Sequence, residues 1–258
     1  MEILMFDLVG KFAHFRKFYT NNTAMSFTIP PRTTLMGIVG AILGKPRDSY
    51  YEELASDKIR FGIQVKSNLK KSFHRVNYLK VESERDFRGR NLHVQTPVEI
   101  VSGHDIRKDN VCYRIYVSYY GNSNNSFQEL KNALLFNKVN YNISLGTANH
   151  SASIENVSLI ESKDINENKI DSEFISIDTA SKSENVEEIK FDKEEQDKYN
   201  FIEEEMMPAD FKANYDREVD KMNRLIYTTG DIPLYAKFSG TLYSFKIQND
   251  TVNIQFLD

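Results

Sequence analysis

Basic side chains are concentrated between residues 66 and 90, where eight lysines and arginines stand beside three acidic residues. Such cations neutralise phosphate groups, and aromatic rings among them can stack on unpaired bases. Phe73, Tyr78 and Phe87 supply those rings here. The pattern predicts a surface for single-stranded nucleic acid. The alternative from the same residues is a solvated hairpin without a ligand.

A glycine-containing turn, LGTANH at residues 145–150, is a second candidate for phosphate binding. Because glycine has no side chain, backbone N–H groups in such a turn can approach a phosphate closely. Most turns of this composition have no ligand, so the motif indicates phosphate binding only together with the basic segment.

The histidines and the cysteine do not form a metal-binding pattern. None of the five histidines is paired with another histidine or with Cys112 at the spacing of metal ligands. The sequence also lacks the glycine-rich loop of nucleotide hydrolases, the nucleophile elbow of serine hydrolases and the HExxH motif. We therefore predict no metal and no other cofactor.

A metal-free ribonuclease is an alternative function, because RNA cleavage requires only a general base, a general acid and a cation. Tyr50 or Tyr51, acting with His74 or His150, would provide the base and the acid. Tyrosine, histidine and lysine are common in this chain. Their presence alone does not select cleavage over RNA binding, or over a protein-interaction scaffold that never touches RNA.

The net charge of −4 is divided unevenly along the 258 residues. Residues 1–150 carry 21 basic and 13 acidic side chains, whereas residues 151–258 carry 12 basic and 24 acidic ones. The basic half is suited to a polyanion, and the acidic half to solvent or to a basic protein partner.

Length and cysteine content exclude several classes of protein. A chain of 258 residues can form one large or two small domains with a sizeable core. A single cysteine excludes an internal disulfide, and a cytoplasmic location is expected. The longest apolar run, residues 35–44, is too short to cross a bilayer, and no basic stretch precedes the first apolar residues. We expect neither a membrane span nor a signal peptide.

The first elements are a strand and a helix. Residues 2–9 are typical of a buried strand, and an apolar stripe of helical spacing follows over residues 35–43. We predict that Thr33 or Thr34 caps this helix and that Gly44 ends it in a left-handed conformation. Gly37 and Gly40 within it favour a close approach to a sheet or to another backbone.

The next segments repeat this order. Strands are predicted at 58–66, 112–120, 139–144 and 153–160, with a helix over 127–136 capped by Ser126. This order predicts a ferredoxin-like arrangement. Strand-like segments at 73–81 and 91–101 flank the most basic stretch, which favours a projecting hairpin over a long structureless loop.

The remaining chain is acidic at first and then strand-like. Residues 162–220 are polar, with a strand candidate at 172–178, and the ten acidic residues within 184–205 indicate a solvated helix or a mobile loop. Four strands at 224–228, 234–238, 241–247 and 252–256 would form an antiparallel meander. We therefore predict an α+β fold. It has a ferredoxin-like domain at 1–160, a hairpin at about 66–110, and a smaller, acidic, β-rich part at 161–258.

Several segments together resemble the fifth CRISPR-associated (Cas) protein family. FDLVGKFAHFR at 6–16 and FTIPPRTTLMGIVGAILG at 27–44 are similar to its N-terminal motif. TPVEI at 96–100 and YRIYV at 113–117 resemble its hairpin and the following strand, and the turn at 145–150 resembles its glycine loop. The similarity is strong over 1–45, weaker over 91–160 and absent beyond.

The resemblance implies an RRM-like, repeat-associated RNA-binding fold in which the hairpin at 66–108 is a thumb. Such subunits bind the 5′ handle of CRISPR RNA in a type I Cascade surveillance complex for antiviral defence. They contact the backbone and large subunits and meet target DNA only through the complex. The implied RNA-binding residues here are Lys11, Arg16, Lys17, Arg32, Lys70, Lys71, Arg75, Arg85, Arg88, Arg90, Gly146, Thr147 and His150.

One branch of that family, subtype I-C, cuts precursor RNA with a tyrosine at the end of the first helix and a Lys-His pair before the second. Here the first helix ends in AILGKP at 41–46, and NNSF at 124–127 precedes the second. The difference implies a non-catalytic subunit closer to the subtype I-B branch, where a separate endoribonuclease cuts the RNA.

Overall fold

The computed structural model describes residues 1–79, 81, 83–88, 93–190, 202–213, 216–248 and 250–258. The fold is α+β and mostly β, and its described part has two α-helices, α1 (Arg32–Leu43) and α2 (Asn125–Leu135). No helix in this part of the chain is long and apolar enough to cross a membrane. The strands, in chain order, are β1 (Ile3–Gly10), β2 (Phe12–Ala13), β3 (Phe15–Arg16), β4 (Ser26–Phe27), β5 (Ile59–Val65), β6 (Leu69–Leu79), β7 (His93–Gly103), β8 (Val111–Tyr119), β9 (Ile143–Ser144), β10 (Ser151–Ile160), β11 (Asn166–Ile177), β12 (Ser181–Lys182), β13 (Val186–Ile189), β14 (Ile202–Phe211), β15 (Val219–Thr228), β16 (Leu234–Ile247) and β17 (Asp250–Ile254).

The central sheet is antiparallel and has the order β5-β8-β1-β10-β9. Strand β1 is buried on both faces, which explains its nearly uninterrupted apolar sequence. Leu4, Phe6 and Leu8 belong to the core beneath α1 and α2, whereas Ile3 and Met5 pack against β16 and β17. The four strands predicted at 2–9, 58–66, 112–120 and 153–160 are confirmed to within two residues.

Helix α1 ends as predicted but begins differently. Gly44 adopts a left-handed φ of 71°, and its N–H bonds to the carbonyl of Ala41. The N-cap is Pro31, without a side-chain hydrogen bond, so the predicted cap at Thr33 or Thr34 is wrong. Pro31 is extended, and its carbonyl accepts the first helical hydrogen bonds, from the N–H groups of Thr34 at 2.9 Å and Leu35 at 3.2 Å.

The two glycines inside α1 make room for a tyrosine. A Cβ atom on Gly40 would lie 2.6 Å from Cδ1 of Tyr50, and one on Gly37 would lie 3.3 Å from its hydroxyl. The close approach predicted at these glycines is therefore to an aromatic side chain rather than to a sheet or a backbone.

Helix α2 is capped by Asn124, whose side chain accepts a hydrogen bond from the N–H of Phe127, and not by Ser126 as predicted. The strand predicted at 139–144 is confined to β9. Before it, the N–H groups of Asn140 and Tyr141 donate to carbonyls at the end of α1, 3.2 Å away in both cases. Because helix ends leave carbonyls without partners, this segment completes α1 instead of extending a sheet.

The basic segment forms a long antiparallel hairpin of β6 and β7, which pair from Leu69 opposite Gly103 to Leu79 opposite His93. Strand β2 joins β7 near the base. A 3₁₀ turn at Glu84–Arg88 lies between the two strands in sequence. Residues 80, 82 and 89–92 lie outside the described residues. The predicted antiparallel pairing is present, with strands that extend further toward the base, whereas a thumb role for the hairpin stays a prediction.

Beyond residue 160 the strands form two further sheets, β11-β16-β13 with β17 on β16, and β12-β15-β14. The strand predicted at 172–178 is the second half of β11. The strands predicted at 234–238 and 241–247 are one continuous strand, β16. Gly240, at φ 107°, does not end this strand because a register irregularity between Ile170 and Glu173 of β11 lies opposite it.

The described parts of the acidic segment at 184–205 are the end of a 3₁₀ turn at Ser183–Asn185, then β13 and the start of β14, so strand replaces the predicted solvated helix or loop there. Residues 191–201 lie outside the described residues. The largest hydrophobic cluster joins β5 to side chains beyond residue 160, among them Met207, Leu225 and Tyr227. The division of the chain at residue 160 stays a prediction.

Candidate nucleic-acid interface

The hairpin carries exposed cations that have no ion-pair partner among the described residues. Lys70, Arg75, Arg85 and Arg88 are exposed, and among the described residues none of them has an ion pair or a side-chain hydrogen bond. Free cations on a long hairpin are available to neutralise phosphates. Four of the predicted RNA-binding residues are therefore exposed on the same hairpin.

Aromatic side chains accompany these cations. Phe73, Tyr78 and Phe87 are exposed by 58%, 52% and 72%. Because side chains alternate along a strand, Phe73 and Tyr78 lie on opposite faces of the hairpin. Rings that are large, apolar and exposed are suited to stacking on unpaired bases.

Glu99 on β7 fixes the base of the hairpin to the rest of the molecule. Its carboxylate accepts a hydrogen bond from the N–H of Ser26 at 2.8 Å, and its own N–H donates to the carbonyl of Ala24 at 2.8 Å. The N–H of Ala24 donates to Pro97 at 2.9 Å, and the ring of His14 bonds to the carbonyl of Glu99 at 2.7 Å. These bonds orient the base while the outer part projects.

Two of the predicted cations pair with strand β14. Lys71 Nζ lies 3.3 Å from Oε1 of Glu203, and Lys71 stays partly exposed. Lys17 forms an ion pair with Glu205, and its side chain is only 7% exposed. Contrary to the prediction, Lys17 is held inside the fold and is not available to RNA.

Arg32 is also buried, with a side-chain exposure of 1%. Its guanidinium contacts Asp210 at 2.6 Å and Asp258 at 2.5 Å, and it donates to the carbonyls of Leu54 and Ile59. A buried charge requires such partners, so the predicted phosphate contact of Arg32 is wrong. Burial raises the pKa of Asp258 to about 6, although Arg32 acts in the opposite direction.

The other predicted cations differ in their surroundings. Lys11 Nζ donates to the carbonyl of Asp109 at 2.9 Å and is partly exposed. Arg16, at the end of β3, is exposed. Arg90 lies outside the described residues, so its role stays a prediction.

The glycine turn is closed and packs against its own chain. The N–H of His14 donates to Leu145 at 3.0 Å, that of Leu145 to His150 at 2.8 Å, and that of His150 to Thr147 at 3.0 Å. Gly146 has a φ of 92°, and a Cβ atom there would lie 1.9 Å from the carbonyl oxygen of His14. The glycine is therefore required by packing within the protein, independently of any ligand.

The outer side of this turn is open to solvent at Thr147, which is exposed. His150 is partly buried and its ring lies 6.2 Å from that of Phe12. Burial, assisted by the nearby His14, lowers the pKa of His150 below its ordinary value. The ring is therefore neutral at pH 7 and adds no positive charge to the turn.

An open cleft of about 340 Å³ lies between α1 and the glycine turn, and Tyr50, Tyr51, Gly146 and Arg217 are among its lining residues. Tyr51 donates a hydrogen bond to Asp48, which also contacts Arg217 at 2.8 Å, and burial raises the pKa of Tyr51. None of the described lining residues is a histidine. The cleft thus does not bring together the tyrosine–histidine pairs of the ribonuclease alternative.

The two histidines of that alternative lie elsewhere. His74 is on the hairpin, where its ring bonds to the hydroxyl of Ser72 at 3.0 Å, and His150 ends the glycine turn. Within the described ranges, no three His, Cys, Asp or Glu side chains are grouped to hold a metal ion.

Sequence reasoning missed the carboxylates that flank the basic residues. Glu203 and Glu205 from the acidic half pair with lysines of the basic half, and Glu99 anchors the hairpin. The uneven charge along the chain was the available signal, since opposite charges in one chain can pair across the fold.

Phe18 and Tyr19 form a further exposed aromatic pair with ring centroids 5.2 Å apart.

Comparison with known proteins finds one matching family and solved structures of similar fold. Residues 3–117 match a family described as CRISPR-associated protein (Cas_Cas5). The fold is similar to the crystal structure of a CRISPR protein from Archaeoglobus fulgidus, with a TM-score of 0.56, 13% identity and 99% of each chain covered. It is also similar to a chain of a CRISPR RNA-guided surveillance complex, with a TM-score of 0.50, 11% identity and 91% of each chain covered. A search of curated protein sequences gave no significant match.

Proposed function

We propose, because residues 3–117 match the CRISPR-associated family described as Cas_Cas5, that the chain is a non-catalytic RNA-binding subunit of a type I Cascade surveillance complex. Its ligand is CRISPR RNA, and it caps the 5′ handle of that RNA. The hairpin of β6 and β7 acts as the thumb that holds the strand. In this proposal the subtype is the I-B branch, and another enzyme cuts the precursor.

One observation carries the proposal. The hairpin presents Lys70, Arg75, Arg85 and Arg88 without partners among the described residues, together with exposed aromatic rings. Cations for phosphates and rings for bases are the two components of single-strand binding.

The order of elements supports a ferredoxin-like domain for this subunit. The two units β1-α1-β5 and β8-α2-β10 contribute four antiparallel strands in the order β5-β8-β1-β10, with both helices on one face. That is the strand order of a split β-α-β fold. The hairpin is inserted between β5 and β8, where the family resemblance predicts a thumb.

The proposed protein partners are the backbone and large subunits of the complex, and target DNA is reached only through them. Phe136 and Tyr141, at and just beyond the end of α2, are exposed by 69% and 59%. Exposed aromatic side chains outside the hairpin are suited to such protein contacts.

A filter-binding experiment with the full chain tests the function. The probes are a repeat-derived RNA that carries the 5′ handle and an RNA of equal length and composition with a scrambled handle, both in EDTA. We expect tighter binding of the first RNA and no cleavage after hours with excess protein. Equal binding of both RNAs would refute handle capping. Cleavage at one fixed position, lost in His74→Ala or His150→Ala, would favour the ribonuclease alternative.

A further inference from the structure

A second cleft, of about 380 Å³, lies near the start of β5, and Arg60, Tyr120, Lys182, Asn185 and Tyr243 are among its lining residues. We call it the Arg60 cleft. The hairpin leaves β5 at the other end of the strand, beyond Val65. At about 3.3 Å per residue, Arg60 lies about 16 Å from that end of the strand. The Arg60 cleft is therefore separate from the proposed RNA-binding hairpin.

The guanidinium of Arg60 is held in one orientation by aromatic side chains. Its Cζ atom lies 3.7 Å from the ring centroid of Tyr120, and Nη1 donates to the hydroxyl of Tyr243 at 2.6 Å. The ring of Phe256 lies 5.8 Å away on a further side. A guanidinium fixed in this way loses little freedom when it binds a ligand, because its plane is already set.

Part of the hydrogen-bonding capacity of Arg60 is unused. Its Nε atom is buried and has no hydrogen-bond partner, and among the described residues no carboxylate lies within ion-pair distance of the guanidinium. The other unpartnered buried side-chain atoms of the described chain are the hydroxyls of Ser181 and Ser183, which flank Lys182 in sequence. Buried polar atoms without partners are uncommon in folded proteins and call for an explanation.

The second cation of the cleft is weakly paired. Lys182 Nζ lies 3.9 Å from Glu184, whose side chain is 75% exposed. The other carboxylate of the cleft, Asp258, is already bound to Arg32 and to the N–H of Phe61. Because this distance is at the outer limit of an ion pair and Glu184 lies mostly in solvent, the pair restrains Lys182 only weakly.

We propose that the Arg60 cleft binds a phosphate group, with Nη2 of Arg60 and the ammonium of Lys182 as its two cationic partners. The guanidinium supplies a charge-assisted hydrogen bond to a phosphate oxygen, and the second cation matches the second negative charge of the phosphate. The cleft is larger than a phosphate ion. The group is therefore either free, carried by a mononucleotide, or part of a nucleic-acid strand.

A titration of the full chain with inorganic phosphate tests the site, with sodium chloride at matched ionic strength as the reference. Melting temperature and the ³¹P linewidth are the readouts. We expect a phosphate-specific rise in melting temperature. Lys182→Gln should weaken binding about tenfold because it removes a charge-assisted contact, and Arg60→Lys should weaken it similarly because an ammonium lacks the planar guanidinium that Tyr120 holds in place. Lys163→Gln is the control, because Lys163 pairs with Glu161 on the surface at 2.8 Å, away from the cleft lining.

Adenosine 5′-monophosphate and a short single-stranded RNA serve as further probes and separate the sources of the phosphate. Tighter binding of the mononucleotide than of phosphate indicates a nucleotide, and tighter binding of the RNA, weakened by Lys182→Gln, indicates a strand. Either result supports the site. If none of the three probes binds more weakly to Lys182→Gln than to the wild type, the proposal is wrong.

The hairpin variant Arg85→Gln/Arg88→Gln distinguishes this site from the proposed function. It should weaken RNA binding and leave phosphate binding unchanged. If it abolishes phosphate binding, the phosphate site is the hairpin and not the Arg60 cleft. If phosphate binds as expected while repeat RNA does not bind at all, the proposed function fails and the cleft assignment stands.

Discussion

Gly146 shows how a residue that resembles a ligand contact can be required by the fold. A left-handed φ of 92° and a Cβ position 1.9 Å from the carbonyl oxygen of His14 leave no room for any side chain. A substitution would therefore lower the free energy of unfolding in two ways. A side chain is strained at this positive φ, and its Cβ atom would overlap the carbonyl oxygen of His14. An RNA-binding defect in a Gly146 variant would thus be expected even if RNA never touched this turn.

Gly146→Ala should lower the free energy of unfolding by at least about 3 kcal/mol, because it combines a left-handed conformation with backbone overlap. Gly121→Ala is the matched control, since Gly121 also has a positive φ, 81°, but nothing within 4 Å of its Cβ position. It should lose only roughly 1–2 kcal/mol. Urea denaturation measures both variants. Equal losses would contradict the packing role of Gly146.

The buried carboxyl of Asp258 makes stability depend on pH. Its pKa is raised to about 6 by burial, above its ordinary value of 3.8, so the native state holds a proton in the window where the unfolded state does not. The contribution of this group to stability is therefore larger at pH 5 than at pH 7, and it is lost as the pH rises through 6.

Relative to Asp258→Asn, which cannot titrate, the wild type should gain free energy of unfolding as the pH falls from 7 to 5. Denaturant titrations of both proteins at the two pH values measure this difference. The variant also serves as the control for all other titrating groups. A constant difference between the two proteins, or one that shrinks toward pH 5, would contradict the raised pKa.

The hairpin of β6 and β7 combines a fixed base with a free outer part. Glu99, Ser26, Ala24 and His14 secure the base by hydrogen bonds. The exposed cations Lys70, Arg75, Arg85 and Arg88 make no ion pairs with other described residues. Under the proposed function, such an element would lose little entropy on binding RNA, because hydrogen bonds at its base already set its direction.

Phe87→Ala should weaken binding of single-stranded repeat RNA by about tenfold, because stacking of one base on an aromatic ring contributes roughly 1–3 kcal/mol. Phe136→Ala is the control, since Phe136 is exposed by 69%, close to the 72% of Phe87, but lies at the end of α2. Fluorescence anisotropy with labelled RNA measures both. Equal effects of the two variants would exclude a specific role of the hairpin ring.

The secondary structure that depends on local sequence was predictable, and the structure that depends on distant partners was not. Alternating side chains in β5 and the stripe in α1 specify those elements by themselves. By contrast, the segment before β9 completes α1, and Gly240 sits inside a strand because of irregular pairing with β11. In the same way, burial of Arg32 depends on Asp210 and Asp258, which are far away in sequence.

At the scale of the whole molecule, the two oppositely charged halves of the chain share one core and pair at specific places. Glu203 and Glu205 of β14 neutralise Lys71 and Lys17 near the base of the hairpin. Four cations of the hairpin, Lys70, Arg75, Arg85 and Arg88, keep their charge unpaired among the described residues. A chain with net charge −4 can thus present a basic surface to RNA.

The salt dependence of RNA binding tests the central claim most directly. Two variants, each with four cations changed to Gln, are compared with the wild type across a range of salt concentrations. The hairpin variant changes Lys70, Arg75, Arg85 and Arg88, and the control variant changes the exposed residues Lys163, Lys169, Arg224 and Lys246.

Each phosphate contact with a single strand contributes about 0.7 to the slope of log affinity against log salt concentration, so the hairpin variant should lose up to about 3 from that slope. Its affinity for repeat RNA should fall as well, while the control variant, with the same net charge, should keep the slope of the wild type. An unchanged slope in the hairpin variant, or an equal loss in both variants, would contradict RNA binding through the hairpin.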